Sequence, residues 1–224
     1  MNQIQSIYDA LHKKYGPQGW WPLLELHENK QGINPTKSGS MNGYHPNDFS
    51  YPKNYSQRFE ICIGAILTQN TSWKNVEKAL VNLRDKKLLD ARKMLLASDK
   101  VVSGVIKPAG YFNQKTKKLK IFAKFYLSLK GKIPTRDKLL NVWGIGSETA
   151  DSILLYAYRK TEFVVDAYTR RMLTSMKIID KKRTYGEIKS LFEKNLPKDY
   201  KLFQEYHALI VEDGKHTLTG KKHI

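Results

Sequence analysis

A single cysteine in 224 residues excludes an internal disulfide, and Cys62, set between Ile61 and Ile63 in an apolar helical run, reads as a core residue. Long hydrophobic runs are also missing: none approaches the roughly 20 residues that a bilayer-spanning helix requires. The opening MNQIQSIYDALHKKYG is amphipathic, with Ile4, Ile7, Tyr8 and Leu11 on one face, which fits a first helix and not a signal peptide. The expected location is therefore cytoplasmic, with no membrane partner. The six histidines, at 12, 27, 45, 207, 216 and 223, show no metal-ligand spacing, and there is no internal repeat or low-complexity tract.

Acidic residues are scarce. Lys plus Arg number 39 against 21 Asp plus Glu, so the formal net charge is +18 and the chain is drawn to a polyanion in a salt-sensitive way. Charge alone leaves DNA, RNA, anionic lipid and simple solubility open. Lysines cluster at 115, 117, 118 and 120, then at 181 and 182 with Arg183, then at 221 and 222, and each cluster also reads as a solvated face. Hydrophobic residues make up 41% of the chain, enough for a sizeable core in one or two domains.

The apolar periodicity is helical almost throughout. After the first helix a polar segment, residues 28–52, carries turn residues and reads as a mobile loop or one ordered by a partner. Helices are predicted at 56–84, 89–97, 99–107, 114–129, 136–142, 147–159, 167–177, 184–194 and 199–212, with breaks at Pro108-Ala109-Gly110, Gly131 to Pro134, Gly144 and Pro197.

Residues 139–171 carry the most information. Thr135 suits the cap of a short helix holding Leu139, Leu140 and Val142, Gly144 and Gly146 permit a tight turn, and Ser147 suits the cap of a helix with Ala150, Ile153, Leu154 and Ala157 on one stripe. Amide groups at that second helix start, with the positive end of the helix dipole behind them, suit an anionic oxygen such as a nucleic-acid phosphate. Gly-Ile-Gly is also an ordinary helical corner. Asp166 follows among aromatic and basic residues, and Asp equally suits the cap of a helix starting at Ala167.

Taken together, VWGIGSETA at 142–150 and Val164-Val165-Asp166 resemble the helix-hairpin-helix plus Gly/Pro-Asp signature of the endonuclease III superfamily of DNA glycosylases, with IGAILTQNT at 63–71 and GYFNQK at 110–115 also similar. The resemblance runs from about Gln57 to about Gly214. It implies an all-α fold of two helical lobes, with the helix-hairpin-helix at about 136–159 and the active site in the interlobe cleft. The central lobe would span 70–176, and residues 1–69 plus 177–224 would form the second. Double-stranded DNA containing a damaged base is the implied partner, bent so that the base flips into the cleft, and a monomer suffices for that task. Many relatives hold an iron–sulfur cluster on four cysteines near the C-terminus; this chain has none after Cys62, so no iron–sulfur cluster and no other cofactor is expected. A structural monovalent cation on the backbone carbonyls of Leu140, Val142 and Ile145 is implied by the family alone.

The same resemblance assigns candidate roles. Asp166 matches the catalytic aspartate, 18 residues after Glu148, where a carboxylate stabilises an oxocarbenium-like sugar and orients water. Glu148 stands where bifunctional members carry a Schiff-base lysine, and a glutamate cannot form an imine. That departure points to a monofunctional enzyme without AP-lyase activity; Glu148 otherwise reads as a first-turn residue favourable to the helix dipole. Gln69, with Asn70, takes the place of the side chain that fills the gap left by an extruded base, or is a polar stop to an apolar helix. Lys115, Gly144, Ile145, Gly146, Ser147, Thr149 and Arg171 complete the expected DNA contacts. Trp20-Trp21-Pro22 resembles the start of the small glycosylases that excise 3-methyladenine, whose cationic base stacks well on electron-rich rings, although tryptophans also seal cores. Phe59, and more weakly Tyr55, are candidates for an opposite wall, and Lys215 for a residue returning to the cleft. The reading is a DNA N-glycosylase of base excision repair for alkylated purines. The alternatives are a glycosylase with lyase activity on oxidised or deaminated pyrimidines, and a helix-hairpin-helix DNA-binding module without catalysis.

Overall fold

A computed structural model describes residues 2–36 and 39–217, so Lys221, Lys222 and His223 lie outside the described residues. Twelve helices appear among them: α1 (Gln3–Tyr15), α2 (Leu24–Glu28), α3 (Tyr55–Leu67), α4 (Trp73–Asp85), α5 (Ala91–Leu96), α6 (Asp99–Val105), α7 (Phe112–Ser128), α8 (Arg136–Leu140), α9 (Ser147–Ser152), α10 (Ala167–Ser175), α11 (Tyr185–Asn195) and α12 (Tyr200–Thr217). Among the described residues there is no strand, only one isolated antiparallel bridge, Ile33 to Tyr44. The all-α expectation therefore holds.

α3 is the buried axis. Asn54 caps it by accepting the Gln57 amide, and every residue from Phe59 to Leu67 is buried. It packs against α4, α7 and the end of the α9 helix, while α5 and α6 lie on α7. α1 buries Ile4, Ile7 and Leu11 and packs on α11 and α12, so the first and last described helices meet; the Tyr206 hydroxyl on α12 fixes this by donating to the Ile4 carbonyl at 2.8 Å. α10 also rests on α12. That contact brings the segment after the hairpin against the C-terminal helix.

Three expectations are corrected. The predicted helix at 56–84 is two helices, because the chain turns at Thr68 to Ser72 with Asn70 in the left-handed region, φ 53°. The predicted helix at 147–159 is α-helical only to Ser152 and continues as a π turn over Ile153–Ala157, an irregularity common at functional sites. Residues 28–52 are ordered by the chain itself over the part described: the buried Glu77 carboxylate accepts from the Ser40 amide and hydroxyl and from the Met41 amide, and Met41 and Tyr44 are buried. A carboxylate taken out of water needs such donors, so the loop and α4 stabilise each other.

Candidate active site

The hairpin is built by α8, a turn and α9. Gly144 takes φ 86°, which only glycine adopts at low cost, and a Cβ there would fall 2.6 Å from Lys118 Cγ. The Ile145 amide donates to the Val142 carbonyl at 3.0 Å, and the Ile145 side chain is buried as the anchor of the turn. Gly146, not Ser147, is the N-cap of α9, and no side chain caps it. The first amides of α9 are thus left for an external acceptor. Trp143 stands beside them, 47% exposed, with the Lys117 ammonium 4.7 Å from its ring centre.

Gln69 is folded onto this hairpin. Its amide nitrogen donates to the Gly144 carbonyl and to the Thr149 hydroxyl, each at 3.0 Å, and its oxygen accepts from Lys118. Asn70, next to it, is exposed. Tyr111, whose exposed ring and φ of 44° were not singled out in the sequence, starts α7 beside this turn, because the buried Lys115 ammonium joins the carbonyls of Leu67 and Ala109 at 2.8 Å each.

Three expected DNA contacts change meaning. Lys115 is 2% exposed, and burial pushes its pKa down to about 8; it bridges two backbone segments and does not reach the surface. Thr149 is 6% exposed and its hydroxyl is taken by Gln69. The Ile145 amide is taken by Val142, so it is not a phosphate donor. Ser147 is corrected only as a cap: it is the first residue of α9, among the amides that no side chain caps. Gly144, Gly146 and Arg171 keep accessible positions; Arg171 is exposed and lies 4.6 Å over the Tyr168 ring.

Asp166 caps α10: its Oδ1 accepts the Thr169 amide at 2.7 Å and the Thr169 hydroxyl at 2.9 Å. Capping and chemistry are not exclusive, because Oδ2 remains, 3.8 Å from His207 Nε2 on α12. Burial acts to raise the Asp166 pKa, yet its net direction is down, because His207 and the two Thr169 donors favour the charged form. Glu148 moves the other way. Glu148 as a residue is exposed, but partial desolvation of its carboxyl raises its pKa, the Asp166 charge raises it further, and His207 opposes both. The two carboxyls therefore face one region, held apart in acidity.

The hairpin is tied to Asp166 by a buried network that sequence reading missed. Asp151, on α9, accepts from Arg136 of α8 at 2.7 Å, pairs with Lys189 of α11 at 3.1 Å and accepts from the Tyr185 hydroxyl at 2.8 Å. The Tyr185 oxygen in turn accepts from the Val165 amide at 3.4 Å, one residue before Asp166.

The aromatic candidates divide. Trp20 is partly exposed, and its ring meets the His207 ring edge-on at 5.8 Å. Lys215, on the last turn of α12 and not beyond it, has its ammonium 5.9 Å from the Trp20 ring centre and pairs with the buried Glu212 at 3.1 Å. Trp21 is a sealing residue behind Trp20: it is buried between Trp73 and Tyr156, and Gly64 of α3 makes room for its indole, since a Cβ there would lie 3.1 Å from Nε1. Phe59 is corrected outright. It is 1% exposed and packed on Tyr126, so no base can stack on it without opening the core. Tyr55 also rests on Tyr126, 4.6 Å between ring centres. Among the described residues no group of three or more His, Cys, Asp or Glu could hold a metal ion.

Comparison with known proteins bears on the family and the fold. The family described as HhH-GPD superfamily base excision DNA repair protein matches residues 63–198. A candidate DNA repair glycosylase of Methanocaldococcus jannaschii is 41% identical over 223 residues, covering 95% of this chain and 87% of the relative. Endonuclease III of Thermotoga maritima is 26% identical, covering 74% of this chain and 78% of its own. Among solved structures, the 3-methyladenine DNA glycosylase of H. pylori bound to 1,N6-ethenoadenine superposes with a TM-score of 0.71 at 26% identity, covering 96% of this chain and 98% of that one. An endonuclease III–DNA covalent intermediate superposes with a TM-score of 0.72 at 17% identity over 96% of this chain and 85% of that one, which speaks for the fold. The chain belongs to the HhH-GPD superfamily of base excision DNA repair proteins.

Proposed function

We propose that the protein is a monofunctional DNA N-glycosylase that hydrolyses the bond between deoxyribose and an alkylated purine of the 3-methyladenine type, leaving an abasic site. The observation that carries the reaction is Asp166, anchored through Oδ1 and held ionised, with Oδ2 directed into the region that Trp20 borders. As the base leaves with the bonding electrons, the sugar gains positive charge, which the carboxylate offsets; water then forms its bond to the anomeric carbon and its proton passes to the carboxylate and on to solvent. A cationic purine departs as a neutral base, so little help is needed at the leaving group. Trp20 is the ring on which that cation stacks, and the likeness to the H. pylori enzyme supports this substrate class.

DNA is gripped at the exposed amides of α9 and by Lys117 and Arg171, while Asn70, Tyr111 and Gln69 face the duplex at the site of extrusion. Gln69 reaches the duplex by exchanging its bonds to the hairpin for bonds to the orphaned base. A monovalent cation at the Leu140, Val142 and Ile145 carbonyls belongs to this reading. The bond from Ile145 to the Val142 oxygen leaves that oxygen a second lone pair.

Glutamate at 148 supports hydrolysis over imine chemistry. Lys215 favours a second reading, with lyase activity, because its ammonium lies over Trp20. Its ammonium is paired with Glu212 at 3.1 Å, and an ammonium is not nucleophilic. Methylated DNA is the first substrate to use, with the freed bases resolved by chromatography: wild type releases 3-methyladenine, and Asp166→Asn lowers release at least about 1,000-fold. Release undiminished in Asp166→Asn removes that residue from the chemistry. Borohydride trapping of a protein–DNA adduct selects the lyase reading, and tight binding without release from any lesion selects a non-catalytic module.

A further inference from the structure

His207 sits where three elements converge on Asp166. From α12 its Nδ1 lies 2.7 Å from the Tyr156 hydroxyl of the π turn, its Nε2 lies 3.8 Å from Asp166 Oδ2 at the start of α10, and the Trp20 ring closes over its edge. Glu148 of α9 also acts on this group. Nε2 is buried and has no hydrogen-bond partner. A buried polar atom without a partner is uncommon in folded proteins and is a frequent mark of function.

The proton count fixes what this atom offers. The tyrosine hydroxyl has one hydrogen and two neighbours, His207 Nδ1 at 2.7 Å and the Gln204 carbonyl at 3.2 Å. If the hydroxyl donates to Nδ1, the neutral imidazole carries its hydrogen on Nε2. If it donates to Gln204, Nδ1 carries a hydrogen and donates to the tyrosine oxygen, and Nε2 is then either bare or protonated as imidazolium. A bare nitrogen would aim its lone pair at a carboxylate, so the two favoured arrangements both place an N–H on Nε2 facing Asp166.

We propose that His207 is a positioning residue: Tyr156 holds its ring, and its Nε2–H steers Oδ2 of Asp166 and keeps that carboxylate charged for the developing sugar cation. This rests on the hydrolytic reading of Asp166. The separation of 3.8 Å is longer than a hydrogen bond, and such contacts tighten in the substrate complex. Thr169 fixes one carboxylate oxygen and His207 the other, so the plane of the group is set from both sides. The downward direction of the Asp166 pKa has the sign this arrangement requires.

Two near-isosteric substitutions separate the ring's two nitrogens. A glutamine places its amide nitrogen near imidazole Nε2, and an asparagine places its own near Nδ1. The full-length protein is assayed on methylated DNA across pH, and separately for its affinity toward DNA carrying a cationic pyrrolidine abasic analogue relative to the neutral tetrahydrofuran analogue. Expected for His207→Asn is a kcat about 30-fold lower, about 2 kcal/mol, with KM unchanged and the acid limb of the pH profile moved upward. His207→Gln recovers kcat to within about threefold of wild type. The preference for the cationic analogue follows the same order. Equal losses in the two variants, or losses that track thermal stability, overturn the proposal. If wild type releases no base from methylated, oxidised or deaminated DNA, the hydrolytic reading fails; the analogue preference still judges His207, and equal preference in both variants overturns it.

Discussion

Buried charges decide most of what single residues do in this protein, and the sequence misplaces several of them. Lys115 lies in a lysine-rich helix and reads as a phosphate contact, yet two carbonyl oxygens hold it inside. Glu60 lies in an apolar run and accepts the Leu24 amide at 2.8 Å; burial, then Glu28 and Glu25, push its pKa up to about 8. Raised above the ordinary 4.5, this group contributes stability that is full below pH 4.5 and lost as pH rises through about 8. Glu60→Gln keeps an oxygen for Leu24 and never ionises. Its unfolding free energy should match wild type at pH 4 and exceed it at pH 9 by roughly 5 kcal/mol, read by calorimetry at both pH values. A lower stability at pH 9 would mean that the carboxylate is ionised and stabilising. Asp166 and Trp20 were legible as residue types in context, whereas Phe59 was not, because facing on a fully buried helix cannot be read from periodicity.

At the scale of elements, the hairpin is held in place by charge as well as by its glycines. Asp151 is fully buried and joins α8, α9 and α11 through Arg136, Lys189 and Tyr185. Removing Asp151 leaves Arg136 charged without its carboxylate and Lys189 with only Glu162 and Glu193. Asp151→Ala should therefore lower unfolding free energy by about 3–5 kcal/mol in urea titration. At temperatures where the variant stays folded, DNA binding should fall too, since α8 and α9 no longer keep their angle. A loss below about 1 kcal/mol would show that α8 and α9 are held by apolar packing alone. The helix-turn-helix itself was legible, from a capping threonine, two glycines and an apolar stripe. The π turn after Ser152 was not. Its contacts come from a distant segment: Gln204 of α12 donates to the Leu155 carbonyl at 2.8 Å.

The whole molecule carries a net charge of +18, and its affinity for DNA should fall steeply with salt. The slope of log affinity against log salt is a count of phosphates neutralised, so Lys117→Ala, at the exposed Trp143, should make it shallower by about 1, while Lys115→Met leaves it unchanged. A shallower slope for Lys115→Met would place that ammonium at the DNA. The sequence by itself determined the helical class, the hairpin, the carboxylate proposed to be catalytic and the glutamate at the place where the resemblance expects a lysine in bifunctional members. These depend on residue identity at short spacings, through caps, glycine turns and the side chain's own chemistry. Only the tertiary structure decided which charges are buried, that Trp20 meets His207 while Trp21 is buried, that Gln69 rests on the hairpin and that His207 meets Asp166 from 41 residues away along the chain. Those outcomes depend on how α12 returns across α1, α10 and the π turn, a packing of distant segments that no local pattern encodes.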